Sequence, residues 1–186
     1  MLASSVNVFK TAAAAPAIFA STKATACSAV TVSGAWPLGI DINFYSPILF
    51  NKKEVSSTFK IITVANLVAV KGIEVLIQAV KKVNNPNIKL EIIGDDTTEY
   101  AHTIQQLVID FQLSDTIKFL GKQLDVRAYL AAADLYVIPS YKEGMPMALV
   151  EAMAMEKAIV ASNIGWAPEV IDSGKEGVLV HPKEHT

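Results

Sequence analysis

From Phe59 onward the sequence alternates short β-branched runs with stretches whose apolar residues recur every three or four positions, and few folds accept that pattern. Residues 60–65 read as a first strand, after which Ile73, Leu76, Ile77, Val80 and Val83 share one helical face. Asn84-Asn85-Pro86-Asn87 stops that helix. A second strand spans 88–93 and ends at Gly94, and Ile104, Leu107, Val108 and Phe111 mark the next helix. A third strand over 116–120 ends at Gly121 and leads into a short helix over 126–133. The fourth strand, 135–138, ends at Pro139, and a helix follows Pro146. A fifth strand over 158–161, a short helix over 168–171 and a strand over 177–180 complete the series. Strands alternating with helices require parallel pairing through right-handed crossovers. The expected fold is therefore α/β, a single Rossmann-like, doubly wound and mainly parallel sheet. Ligands of such sheets bind at the carboxyl ends of the strands.

Before Phe59 the texture differs: Ala, Ser and Thr dominate and no periodicity persists. Residues 1–36 read as an irregular or truncated remnant of something upstream. Thr11-Ala-Ala-Ala-Ala-Pro-Ala-Ile-Phe-Ala20, behind Lys10, has the apolar character of a signal-peptide core. Its alanine content and Pro16 argue against that assignment, and it is too short to span a bilayer. The chain stops at Thr186, soon after a strand, so the expected domain over 59–186 lacks its last helix. Cys27 is the single cysteine and has no disulfide or metal companion, which points to a reducing, cytoplasmic setting. A formal charge of −2 gives no electrostatic footprint for nucleic acid. Any bound anion must be held by local geometry.

The densest constellation is Pro139-Ser-Tyr-Lys-Glu143-Gly-Met-Pro146-Met-Ala-Leu-Val-Glu151. It opens where the fourth strand ends. Gly144 lets the backbone approach a ligand, and Pro146 suits the first position of a helix. The amides around Gly144, Met145 and Met147 then form a helix N-terminus suited to a phosphate or diphosphate. Glu143 in the loop and Glu151 little more than one turn into the helix flank that pocket, where carboxylates accept hydrogen bonds from paired hydroxyls. The ligand implied is a phosphate with polyols on both sides. The plainer alternative is that Glu143 is a solvated loop residue and Glu151 a surface helix residue.

Glu143-Gly-Met-Pro followed by Glu151-Ala-Met-Ala resembles the acidic signature of the retaining glycosyltransferases of family four (glycosyl transferases group 1), which have the GT-B fold. Pro37-Leu-Gly-Ile-Asp41 with Phe44 and Pro47, Ala133-Asp-Leu-Tyr-Val-Ile-Pro-Ser140, Ala161-Ser162 to Pro168-Glu169-Val-Ile, Gly174, and Gly177 to Pro182 are similar to further segments of that family in the same order. The resemblance covers 37–182. It implies a lead-in linker over 37–58 and a nucleotide-sugar-binding domain over 59–186, the carboxyl-terminal half of a GT-B enzyme. It further implies transfer of a hexose from a nucleotide sugar to an acceptor hydroxyl with retention, in glycan, polysaccharide or glycolipid synthesis. Glu143 would contact the donor sugar, Glu151 the ribose, and the amides from Gly144 to Met147 the sugar and diphosphate. A glycan or lipid-linked acceptor would be reached through a companion amino-terminal domain, with peripheral membrane association. Without that domain the chain is expected to bind nucleotide and transfer little.

The chain departs from the family at one place. The family's first strand usually ends Gly-Arg-Leu, followed by Lys-Gly, and the Arg and Lys meet the diphosphate. Here the residues are Val64-Ala65-Asn66-Leu67 and then Lys71-Gly72. Lys71 is kept, whereas Asn66 brings no charge and no bidentate fork. Loss of one charge-assisted contact costs about 1.5–3 kcal/mol. Lys122 falls where the family places its base-side loop, though a surface lysine is the simpler reading. Asp95-Asp96 reads as a solvated turn, because no third metal ligand is evident, and His102, His181 and His185 lack metal-ligand spacing. The expectation is an enzyme with no metal and no cofactor besides its nucleotide-sugar substrate. Lys71 and Glu143 are the candidate catalytic residues. Two alternatives stand beside it: a nucleotide-sugar epimerase-like enzyme, and a non-catalytic nucleotide-binding or interaction module.

Overall fold

A computed structural model describes residues 40–50 and 57–182. The remnant expected over 1–36, Pro37 to Gly39 of the lead-in, Cys27, residues 51–56 and His185 lie outside the described residues. Among the described residues six strands form one sheet: β1 (Phe59–Val64), β2 (Ile88–Ile93), β3 (Ile117–Phe119), β4 (Leu135–Ile138), β5 (Ala158–Ser162) and β6 (Val178–Val180). Their order is β3-β2-β1-β4-β5-β6 and every pairing is parallel. The helices between them are α1 (Ile73–Val83), α2 (Glu99–Asp110), α3 (Arg127–Ala132), α4 (Met147–Ala154) and α5 (Ala167–Val170).

Every strand but β3 carries apolar residues on both faces, as suits a parallel sheet covered on both sides. In β1, Ile61 joins a core with Leu76, Ile77 and Ile104 of α1 and α2. Its neighbour Ile62 joins a second core with Leu130, Leu149 and Met153 of α3 and α4. Leu135 and Val137 of β4 face the first core, while Tyr136 and Ile138 face the second. Burying each such side chain contributes about 1.5–3 kcal/mol relative to exposure. Thr98 caps α2: its Oγ1 accepts the Ala101 amide at 3.0 Å.

Element boundaries move by a residue or so from those expected. The shift that matters is at α4. Pro146 is its N-cap, with extended backbone (ψ 98), and its carbonyl accepts the Leu149 amide at 2.9 Å. The helix thus begins at Met147, one residue later than the expected Pro146 start.

The strand order reverses at β1, which has β2 on one side and β4 on the other. Helical crossovers leave in opposite directions there, so a crevice opens beyond the carboxyl ends of these strands. Two glycines let the loops around it pack backbone to backbone. Gly72 has φ 63, and a β-carbon there would lie 2.3 Å from the Pro139 carbonyl oxygen. Gly165 has φ 55, and a β-carbon there would lie 2.4 Å from the Glu143 carbonyl oxygen.

The lead-in segment is fastened to the second core. Asp41 Oδ1 accepts the Asn43 amide at 2.8 Å, and Tyr45 and Phe50 pack on that core. The Arg127 guanidinium lies 3.5 Å from the centre of the Phe44 ring, and its Nη1 donates to the Phe44 carbonyl at 3.2 Å. Asp125 grips the same guanidinium at 2.6 Å, which holds its own carboxyl down at about 2.

Candidate functional site

A cleft of about 480 Å³ occupies the crevice. Each of the first four strands contributes to its wall. Ala65 and Asn66 follow β1, Gly94 and Asp95 follow β2, Lys122 and Gln123 follow β3, and Glu143, Met145 and Pro146 follow β4. Lys71 reaches it from the turn before α1, and Met147 and Glu151 from α4. The structure therefore brings Lys71, Asn66, Lys122, Glu143, Met145, Pro146, Met147 and Glu151 to one cleft. Gly144, the remaining residue expected there, is exposed and is not part of the wall, although a β-carbon on it would meet only open space.

Glu143 is not a solvated loop residue. Its side chain is 9% exposed, and its Oε1 accepts two donors, Lys71 Nζ and Ser140 Oγ, each at 2.7 Å. Ser140 is itself fully buried. With Oε1 occupied, Oε2 is the atom left to accept from a ligand. Lys71 and Glu143 lie 72 residues apart in sequence. They meet because Gly72 allows the loops after β1 and β4 to touch.

Glu151 is not a surface residue either. Helix α4 is otherwise apolar, with Leu149, Val150, Ala152, Met153 and Ala154 buried. Its one carboxylate is half-buried, and burial pushes its carboxyl above the usual range, opposed by a hydrogen bond with Tyr45. The Tyr45 phenol is pushed up to about 12, first by its own burial and then by that bond. Tyr136 of β4 is fully buried, and its phenol is raised by burial and then by the fields of Glu143 and Glu151.

The charges around the cleft are two lysines against three carboxylates. An anion there cannot rely on net charge. The available positive elements are the amino end of α4, which has no acidic side chain in its first turn, and whatever Lys71 offers once released from Glu143. The amides of Met147 and Ala148 have no intrahelical acceptor by position. Asn66 and Lys122 are exposed at the rim.

Asp95 belongs to a turn, as expected. Its Oδ1 accepts the Thr97 hydroxyl at 2.6 Å and the Thr97 amide at 3.1 Å, and these bonds hold its carboxyl below the usual range. Its place on the cleft wall was not anticipated. Among the described residues no group of three or more His, Cys, Asp or Glu side chains converges to hold a metal ion, and His102 and His181 are exposed. No described helix is long and apolar enough to cross a membrane. Met145 and Met147 line the cleft, whereas Met153 is core. Sequence reasoning missed Tyr45, Ser140 and Gln123. Ser140 had a signal, since it stands three residues before Glu143 at the same strand end. Tyr45, which packs on the second core, had none, because it lies in a segment without periodicity.

Residues 47–186 match the family described as Glycosyl transferases group 1. The chain is 39% identical over 132 residues to N-acetyl-alpha-D-glucosaminyl L-malate synthase of Bacillus anthracis, covering 69% of this chain and 34% of that protein. It is 30% identical over 153 residues to the colanic acid biosynthesis glycosyltransferase WcaL of Escherichia coli, covering 77% of this chain and 37% of that one. The chain thus spans about a third of the length of these curated relatives. Among solved structures, HepE of Anabaena in complex with UDP-glucose superposes with a TM-score of 0.68 at 28% identity, over 78% of this chain and 42% of that one. The carboxyl-terminal domain of a group 1 glycosyl transferase from Francisella tularensis superposes with a TM-score of 0.67 at 26% identity, over 78% of this chain and 81% of that domain. These likenesses place the parallel six-stranded sheet in the GT-B class, at its carboxyl-terminal domain. By sequence match and by fold, the chain belongs to the glycosyl transferases group 1 family.

Proposed function

We propose that this chain binds a nucleoside diphosphate sugar in the cleft and serves as the donor domain for transfer of its hexose to an acceptor hydroxyl, with retention at the anomeric carbon. In this reading the bond from the anomeric carbon to the diphosphate breaks, a bond to the acceptor oxygen forms, and the hydroxyl proton is released. Negative charge grows on the departing diphosphate. The α4 amides of Met147 and Ala148 and the ammonium of Lys71 stabilise it, with one or two hydrogen bonds from Asn66. Met145 and Pro146 shape the wall beside it. Glu143 orients the hexose through Oε2, Glu151 accepts from the ribose hydroxyls, and Lys122 lies on the base side. Neither cofactor nor metal is required, since amides and Lys71 neutralise the leaving group.

The reading rests on one observation: residues from the loops after four strands meet in a single cleft at the strand-order reversal. The HepE complexes with UDP and UDP-glucose support a nucleotide-sugar donor. Residues 59–186 form the proposed donor domain, with 37–58 leading into it. A companion amino-terminal domain carries the acceptor, a glycan or lipid-linked hydroxyl met at the cytoplasmic membrane surface. The relatives' greater length supports that division.

Thermal unfolding with UDP, GDP, ADP and their glucose conjugates tests the reading. A ligand at 100 times its Kd stabilises by about 2.7 kcal/mol, a shift of about 5–10 °C for a chain of this size. No shift with any nucleotide at millimolar concentration would sink the proposal. It would favour a non-catalytic interaction module, the alternative that Asn66 supports.

A further inference from the structure

We propose that Ser140 is a positioning residue of the donor site: its buried hydroxyl holds Glu143 Oε1 at 2.7 Å and keeps holding it when a diphosphate draws Lys71 away, so that Oε2 stays turned to the sugar. The inference rests on the donor-site reading above. Glu143 and Lys71 line the cleft and Ser140 does not, so the hydroxyl acts through the carboxylate rather than on a ligand.

Three observations carry it. The first is that two unlike donors share one oxygen. Glu143 Oε1 accepts Ser140 Oγ and Lys71 Nζ, each at 2.7 Å. Lys71 is charged, partly exposed and on the cleft wall, where an arriving diphosphate competes for it. Ser140 is fully buried, so a ligand in the cleft does not reach its hydroxyl. A hydroxyl has a single proton to donate, and here it goes to Glu143.

The second observation is the backbone around the pair. Pro139 alone separates Ser140 from the end of β4. The Tyr141 amide donates to the Val70 carbonyl at 2.8 Å, which ties this loop to the one after β1. Beyond Glu143, the Trp166 amide donates to the Gly144 carbonyl at 3.3 Å, and Gly165 packs against the Glu143 carbonyl. The main chain is thus held on both sides of the glutamate. Its side chain is what remains free to turn, and the hydroxyl three residues upstream stops it.

The third is the burial of the charge. A carboxylate 9% exposed has given up most of its water, so its oxygens need protein donors. If Lys71 alone served Oε1, the move of that lysine to a diphosphate would strip the carboxylate of its partner just as the sugar arrives. Ser140 removes that conflict, because Oε1 keeps one donor whichever anion Lys71 serves.

The test uses the full chain carrying Ser140→Ala. Calorimetry compares UDP, GDP and ADP each with its glucose conjugate, and the readout is the ratio of the two affinities for the nucleotide that binds the wild type. The glucose conjugate should bind the variant about tenfold more weakly, while bare nucleotide changes by less than about threefold. In a Glu143→Ala background Ser140→Ala should leave the ratio unchanged, because the group it positions is gone. Thermal unfolding checks folding, with a melting temperature lowered by about 5 °C. Ser140→Cys, which keeps the shape and weakens the donor, is the second variant and should shift the ratio in the same direction. An unchanged ratio in Ser140→Ala, whatever the melting temperature, would overturn the inference, and so would equal weakening of both ligands. The hydroxyl would then only brace the loop, and the donor-site reading would stand. If the wild type binds neither form of any of these nucleotides, the donor-site reading itself fails, and this role for Ser140 fails with it.

Discussion

Glu143→Gln separates the two tasks assigned to Glu143. In the native chain Oε1 takes both Lys71 Nζ and Ser140 Oγ at 2.7 Å, with side-chain exposures of 9% for the glutamate and 21% for the lysine. A fully exposed ion pair contributes about 0–1 kcal/mol. This one is shielded on its acidic side, so a charge-assisted bond of about 1.5–3 kcal/mol is the better scale. A diphosphate arriving in the cleft must compete with Glu143 for Lys71. The amide keeps the volume and one acceptor but drops the charge, so the competition weakens. Bare nucleoside diphosphate should then bind as well as before or up to about tenfold more tightly. The sugar-bearing donor loses the anionic acceptor at Oε2 and should bind about tenfold to a hundredfold more weakly than that gain alone would give. The assay is isothermal calorimetry with bare and glucose-bearing nucleotide at two salt concentrations, with thermal unfolding as the control for folding. Equal weakening of both ligands would refute the division of labour. It would mean that Glu143 organises the loop rather than contacting the sugar.

Glu151→Ala should weaken bare and sugar-bearing nucleotide alike, by about tenfold to a hundredfold in calorimetry, because the ribose is common to both. Asn66→Arg should strengthen diphosphate binding by about tenfold or more and make it more sensitive to salt, since the cleft wall has three carboxylates for two lysines. Gly72→Ala should lower stability by about 1–3 kcal/mol in thermal unfolding, because φ 63 is strained for alanine and its β-carbon would lie 2.3 Å from the Pro139 oxygen. The pH dependence has a defined sign. Burial raises the Glu151 carboxyl, so its contribution to folding stability is present below the usual carboxylate range and lost as pH rises through the raised value. Nucleotide affinity runs the other way: it should fall on acidification at a pH above that of an ordinary carboxylate, and Glu151→Gln should abolish that acid limb.

Much of this protein was legible in its sequence, for reasons of period and local chemistry. Apolar residues at spacings of three and four specify α1 and α2 without reference to anything distant, because a helix repeats every 3.6 residues. Runs such as Ile88–Ile93 specify strands in the same local way. The Glu143 and Glu151 spacing about Pro146 pointed to a helix start at a strand end, and the cleft contains both. Tertiary structure decided what local patterns cannot encode. The strand order with its reversal at β1 depends on which crossovers run left or right, and that information is spread over the whole chain. The Lys71–Glu143 pair bridges 72 residues and exists only because two loops touch at Gly72. The same holds for Arg127 on the Phe44 ring, a contact across 83 positions to a segment with no periodicity of its own. Sequence alone pointed to Lys71, Lys122, Glu143 and Glu151 among the charged residues that line the cleft. Only the fold determined which of them are already paired with each other, because partner choice depends on distance in space and burial, and neither follows from position along the chain.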